Sequence, residues 1–205
     1  KSDEIRPKEL QNILKKVAGK PEERIISTVM LRSLKQARYE AENIGHFGLA
    51  ATYYTHFTSP IRRYPDVMVH RLLDYYLKDG KPADAEQIEE QCKHSTEMEI
   101  KASEAERASI KFKQAQYLMG REGEVFDGMI SGVTEWGIYV EIIETKCEGM
   151  IKMSDLDDDY YEFDPDNYRI IGRYHKRILT LGDLVEVRVK DVNLEKRIID
   201  LIFAT

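Results

Sequence analysis

The spacing of apolar residues in this chain changes period at Gly120, and no single regular element can satisfy both sides of that change. Before it, apolar residues recur every three or four positions, as on one face of a helix. After it, short runs alternate apolar and polar, as on strands that bury one face. The pattern predicts an α+β chain with a mostly helical first part, residues 1–120, followed by a β-barrel over residues 121–205. EVFDGMISGV, WGIYVEI, CEGMIKM, NYRIIG, LVEVRVKDV and RIIDLIF are the strand-like runs, five or six in all, with glycine or polar breaks between them. The acidic stretch SDLDDDYYEFDPD, residues 154–166, departs from the spacing of a calcium loop and reads as a solvated loop between strands.

Within the first part, Pro7 opens a helix that carries Leu10, Ile13, Leu14 and Val17 on one stripe and ends at Gly19. Pro21 with Glu22 and Glu23 opens a second helix, whose Ile26, Val29, Met30, Leu34, Ala37 and Ala41 keep helical spacing as far as Asn43 and Gly45. Residues 48–57, rich in threonine and aromatics, read as a strand or extended segment. A third stripe, Val69 to Leu77, stops at Asp79 and Gly80, and Asp84 caps a long charged helix that runs to about Met119. Unbroken, that helix would reach about 54 Å, long enough to brace two domains.

Between the extended segment and the third helix stands THFTSPIRRYPDVMVHR, residues 55–71. Ser59-Pro60 is a helix-start signature, and Pro65 cannot sit deep in a helix, so residues 59–64 read as a tight turn with the helix beginning near Pro65. Arg62 and Arg63 then lie at a helix N-terminus, where the macrodipole disfavours cations and favours phosphate. Two readings stand: an anion joins the arginines, or they are a solvated pair with one of them bound to Asp66. His46, His56 and His70 match no helical ligand spacing and read as structural or substrate-facing rather than metal ligands.

Charge limits the partners. The balance is +2 over residues 1–120 and −8 over residues 121–205, so any nucleic-acid contact must come from local basic and aromatic surfaces rather than from net charge. The barrel alone should therefore show a shallow salt dependence. No uncharged apolar run approaches a membrane span, and Cys92 and Cys147 stand alone, compatible with a reducing cytoplasm. A chain that begins at Lys1 without methionine reads as a fragment or a processed product.

Two motifs carry a family resemblance. G-E-V-F-D-G, then W-G-I-Y-V, then E-G-M-I-K-M-S resemble the OB-fold RNA-binding module named after ribosomal protein S-one. H-F-G-L-A followed by Y-T-H-F-T-S-P-I-R-R-Y-P-D-V-M-V-H-R resembles the C-terminal part of the catalytic (RNB) domain in the ribonuclease R and ribonuclease II family, and the order of the two parts favours the bacterial ribonuclease R branch. The resemblance implies a processive 3′-to-5′ exoribonuclease, cytoplasmic, acting on single-stranded RNA to give nucleoside monophosphates. It implies that Arg62 contacts the scissile phosphate, with Arg63 the weaker candidate beside it. On the barrel it implies bases stacked on Trp136 and Tyr139, a platform extended by Phe126, and basic contacts from Lys152, where the family often has histidine, and from Arg197 on the last strand.

The same resemblance implies hydrolysis that depends on magnesium held by aspartates upstream of Lys1, so this chain is expected to hold no metal and not to cut RNA alone. Association with ribosomes or an RNA-degradation complex goes with that family. The alternative is a non-catalytic RNA-binding adaptor built on the barrel. A plainer one is an interaction domain whose arginines bind a partner's carboxylates.

Overall fold

The structure, a computed structural model, describes residues 7–20, 23–78 and 80–204. Two compact units divide it, Lys1–Ser103 and Glu104–Thr205. The first holds α1 (Pro7–Val17), α2 (Glu23–Ser33), an irregular stretch, α3 (Tyr64–Leu77) and the leading part of α4 (Ala85–Leu118). As expected, Asp84 caps α4: its Oδ1 accepts the N–H groups of Glu86 at 2.9 Å and Gln87 at 3.4 Å. The expected end of the third helix at Asp79 lies outside the described residues.

In this unit two elements differ from the sequence reading. The second helix stops at Ser33 rather than near Asn43. Beyond it the backbone amides find other acceptors: Tyr39 N–H donates to Thr96 Oγ1 and Ala41 N–H to Glu89 Oε2, each at 3.0 Å. These α4 side chains satisfy donors that a helix would have turned toward its own carbonyls. Residues 48–57 form turns, a single bridge between His46 and Ala51, and irregular chain rather than a strand. No other strand is present among the described residues of this unit, so the segment has nothing to pair with. Of the buried apolar side chains described, only Met68 and Cys92 belong to the first unit, while Leu31, Ile61 and Leu77 stand exposed.

The second unit is where the core lies. β1 (Val125–Thr134), β2 (Gly137–Ile142), β3 (Glu148–Lys152), β8 (Ile198–Phe203) and β7 (Leu184–Asn193) close into a five-stranded barrel in that order, with β3 and β8 parallel and the other pairs antiparallel. This is the expected OB arrangement. Register shifts at 130/132 and 189/191 mark bulges that bend the long strands around the closure. Ile138, Val140 and Ile142 alternate inward on β2 and meet Ile151, Val187, Val189 and Leu201. Burying each such side chain stabilises by about 1.5–3 kcal/mol. Ala115 and Leu118 join this core from the end of α4, so the compact unit begins ahead of the change in sequence period.

The acidic stretch is not a solvated loop. It contributes β4 (Tyr161–Asp164) to a separate three-stranded sheet with β5 (Arg169–Gly172) and β6 (Ile178–Thr180). Several of its carboxylates are structural. Asp159, its side chain fully buried, accepts the N–H groups of Tyr160 (2.7 Å), Tyr174 (2.9 Å) and His175 (2.6 Å). Asp164 accepts from Arg169 Nε at 2.8 Å.

Candidate functional site

Residues 59–63 make the tight turn expected of them, but by a different device. The Ser59 carbonyl, not its hydroxyl, accepts the N–H groups of Arg62 (3.2 Å) and Arg63 (3.1 Å), and α3 starts at Tyr64 with Pro65 in its first turn. Asp66 then ties the turn to the helix: its Oδ1 accepts Ser59 N–H at 2.7 Å and Arg63 Nη2 at 2.9 Å. The Asp66 side chain is fully buried, and among the described residues its Oδ2 and the Arg63 Nε have no hydrogen-bond partner.

This geometry separates the two arginines. Arg63 is committed to a buried carboxylate and is a positioning residue for the turn. Arg62 is exposed, and among the described residues its guanidinium makes one hydrogen bond, a long contact from Nη2 to Ser59 Oγ at 3.4 Å. Its guanidinium is thus free to take a planar oxyanion in two parallel hydrogen bonds. The expected pairing with Asp66 is made by Arg63, and Arg62 stays exposed on the turn.

Arg62, Tyr64 and Pro65 line one side of an open groove of about 810 Å3, with Glu90, His94, Met98 and Glu99 of α4 opposite. Tyr39 also lines it, and its hydroxyl lies 2.9 Å from His56 Nδ1. Burial pushes the Tyr39 phenol well above its ordinary range, and a hydrogen bond to Glu99 adds to that, so it stays protonated. The three histidines are engaged locally: His56 with Tyr39, His46 Nδ1 accepting from Leu49 N–H at 3.2 Å, and His70 Nε2 donating to Phe57 O at 2.8 Å.

Burial alone would raise the Asp66 pKa, but the Ser59 amide and the Arg63 guanidinium outweigh it and hold the carboxyl below its ordinary value. The sign follows. A depressed folded pKa means that the ionised form's contribution to stability is complete above the unfolded value, about 3.9, and is lost as pH falls through the folded value. In an acid titration followed by NMR, the Ser59 amide resonance should hold its neutral-pH position until below about pH 3.9. A shift centred above that would mean Asp66 does not hold the turn.

On the barrel unit, Trp136 sits in the β1–β2 turn, 71% exposed, with its carbonyl accepting Met153 N–H at 2.9 Å. Tyr139 points outward on β2, opposite Met150 of β3, which in turn pairs with Asp200 of β8. Tyr139 and Arg197 line one small groove, together with Lys111 of α4. Lys111 was not singled out from the sequence, where it is one more charge on a charged helix. Lys152 is opposite Gly137 in register and forms an ion pair with Asp200, whose hydrogen bond raises the lysine pKa against the effect of burial. It stays charged but is partly neutralised.

Two assignments are corrected. Arg197 lies in the β7–β8 turn at a φ of 57°, not on the last strand. Phe126 is 8% exposed and packs in the barrel core, with the Arg121 guanidinium 5.1 Å from its ring centroid. It offers no open face to a base. The inward alternation of β1 takes its side chain, whereas Tyr139 falls on the outward phase of β2.

Residues 1–79 match the RNB domain and residues 121–202 the S1 RNA binding domain. Ribonuclease R of Aquifex aeolicus (strain VF5) is 43% identical over 197 residues, which cover 94% of this chain and 28% of that protein. Ribonuclease R of Escherichia coli (strain K12) is 38% identical over 206 residues, 95% of this chain and 25% of that one. The structure of Mycoplasma genitalium RNase R in complex with ribose methylated single-stranded RNA matches with a TM-score of 0.87 at 27% identity, covering 99% of this chain and 33% of that one. The chain spans about a quarter of the length of the curated relatives it matches. An RNB segment leading into an S1 RNA binding domain, with ribonuclease R matching in sequence and structure along nearly all of it, places this chain in the ribonuclease R family.

Proposed function

We propose that this chain is part of a 3′-to-5′ exoribonuclease that degrades single-stranded RNA processively to nucleoside monophosphates in the cytoplasm. In this reading it supplies the arginine that grips the scissile phosphate and a barrel that holds the RNA. The observation that carries it is the difference between the paired arginines: Arg63 is spent on buried Asp66, which leaves Arg62 exposed on a braced turn. Hydrolysis of a phosphodiester places extra negative charge on the phosphoryl oxygens, and a guanidinium held in position stabilises that charge without reorganising. Trp136 and Tyr139 offer faces on which bases stack whatever their sequence, as processive degradation requires. Arg197 and Lys111 beside Tyr139 would contact the backbone as cations.

The family implies a magnesium ion that activates water and neutralises the leaving oxygen. The described residues do not fit such an ion. No three His, Cys, Asp or Glu side chains gather among them, and Asp66, the buried carboxylate beside the arginines, is committed to Ser59 and Arg63. No step is therefore derived through it, and the reading leaves the ion to residues beyond this chain.

One experiment tests both parts. The 205-residue chain, incubated with labelled single-stranded RNA and magnesium, should bind the RNA and leave it uncut. Trp136→Ala should weaken that binding by about 1–3 kcal/mol, one stacking contact. Cleavage by the chain alone would refute the division of labour, and unchanged affinity would return Trp136 to a structural role.

A further inference from the structure

We propose that the hairpin joining β5 to β6, together with Tyr160, is a second contact for single-stranded RNA on the barrel unit, apart from the outer face of β2 and β3. The proposal rests on the RNA-binding reading above and adds a site to it. It begins with charge. Four cations around the small sheet and the barrel face are neutralised locally: Lys152 by Asp200, Arg169 by Asp164, Arg177 by Asp158 and Lys190 by Asp155. In the hairpin, Arg173 and Lys176 are exposed and form no ion pair among the described residues. The ion pairs of Asp155 and Asp158 also quiet part of the acidic stretch next to them, while Asp157, Glu162 and Asp166 stay exposed with no ion pair among the described residues.

Aromatic groups stand beside these cations. Tyr160 is 62% and Tyr174 75% exposed. Tyr161 pairs with Gly172, and Arg173 N–H donates to Tyr160 O at 2.8 Å, so Tyr160 and Arg173 face each other across the next antiparallel pair. Tyr161 and Gly172 turn inward, which leaves Tyr160 and Arg173 together on the outer face, as neighbours about 4.5–5.5 Å apart at Cβ.

The arrangement is rigid where a solvent-exposed hairpin would ordinarily be loose. The buried Asp159 carboxylate accepts the backbone N–H groups of Tyr160, Tyr174 and His175, so both tyrosines hang from one anchored group. Lys176, at a φ of 56°, closes the tip in the left-handed region. Two tyrosine faces and two cations without an ion pair, carried on one anchored stretch of backbone, suit a ligand that offers flat rings and phosphates together. Only unpaired nucleotides expose their ring faces, so single-stranded RNA fits this surface and a duplex does not. Anchoring the backbone that carries these side chains before binding removes part of the ordering cost.

The test uses the full 205-residue chain and a fluorescein-labelled oligouridine, read by anisotropy over a range of KCl concentrations. Tyr160→Ala with Tyr174→Ala should weaken binding about tenfold or more. Arg173→Ala with Lys176→Ala should make the slope of log affinity against log salt shallower by about 1.4, the counterions of two phosphate contacts on a single strand. With 4-thiouridine in the oligomer, photo-crosslinks should map to the hairpin. Far-UV circular dichroism of each variant, expected to match the wild type, checks that these exposed substitutions leave the fold intact.

If both double variants bind like the wild type while Trp136→Ala weakens binding, the hairpin site is overturned and the barrel face stands. If the wild-type chain does not bind oligouridine, the RNA-binding reading falls and the hairpin with it. An equal loss of affinity for duplex RNA in the tyrosine variant would overturn the stacking argument.

Discussion

Arg62→Ala, made in a full-length ribonuclease R that carries this segment, is expected to lower turnover about a hundred- to a thousandfold while changing RNA affinity far less. The asymmetry follows from where the charge develops. A phosphodiester already carries a negative charge in the ground state, and many other contacts along the strand share in holding it. The further charge on the phosphoryl oxygens appears only in the transition state, so a group aimed at those oxygens acts mainly on rate. Arg62→Lys should recover part of the loss, because an ammonium supplies charge but not the two parallel donors. Arg63→Ala should behave differently, loosening the turn by stranding buried Asp66, so that stability falls along with activity. Single-turnover rates measured beside equilibrium binding separate these cases. Wild-type turnover in Arg62→Ala would remove Arg62 from the chemistry and leave the turn as a structural corner.

What could be read from the chain was whatever local rules decide. Asp84 as a cap, the turn before Pro65, and the inward phase of Ile138, Val140 and Ile142 each depend on residues within a few positions, and each is found in the structure. The misses share a different cause, a partner distant in sequence. The second helix ends early because Thr96 and Glu89, more than 40 positions on, take the amides of Tyr39 and Ala41. Residues 48–57 have the composition of a strand but no strand to pair with. Asp159 lies in a run of carboxylates that looks solvated, and only the fold brings the amides of Tyr174 and His175 to it. Phe126 and Tyr139 are both aromatics on barrel strands, but they fall on opposite phases of the alternation. The arginine pair was legible only as two alternatives, an anion joining it or an ion pair to Asp66. Which arginine meets Asp66 and which stays free depended on the helix starting at Tyr64 rather than one residue away.

Gly137→Ala should destabilise the barrel unit by about 2–4 kcal/mol and weaken RNA binding with it. A Cβ at this position would stand 2.2 Å from the Ile151 carbonyl oxygen and 3.0 Å from Lys152 Cα, both backbone atoms of β3. A crowded side chain can rotate away, but a paired strand cannot. Relief requires opening the ladder in which Gly137 faces Lys152, Ile138 faces Ile151 and Tyr139 faces Met150. That movement would shift Trp136 and Tyr139 relative to each other, so stability and binding should fall together. Gly123→Ala supplies the control. Gly123 has a φ of 90° but no atom within 4 Å of the added Cβ, so it meets backbone strain without a clash and should cost about 1–2 kcal/mol. Trp136 is the chain's only tryptophan and adjoins Gly137, so its fluorescence in a urea titration reports the unfolding of this unit directly. Equal midpoints for Gly137→Ala and Gly123→Ala would mean that β3 yields to the added methyl. The close approach of β2 and β3 would then not be what sets the spacing of the two stacking faces.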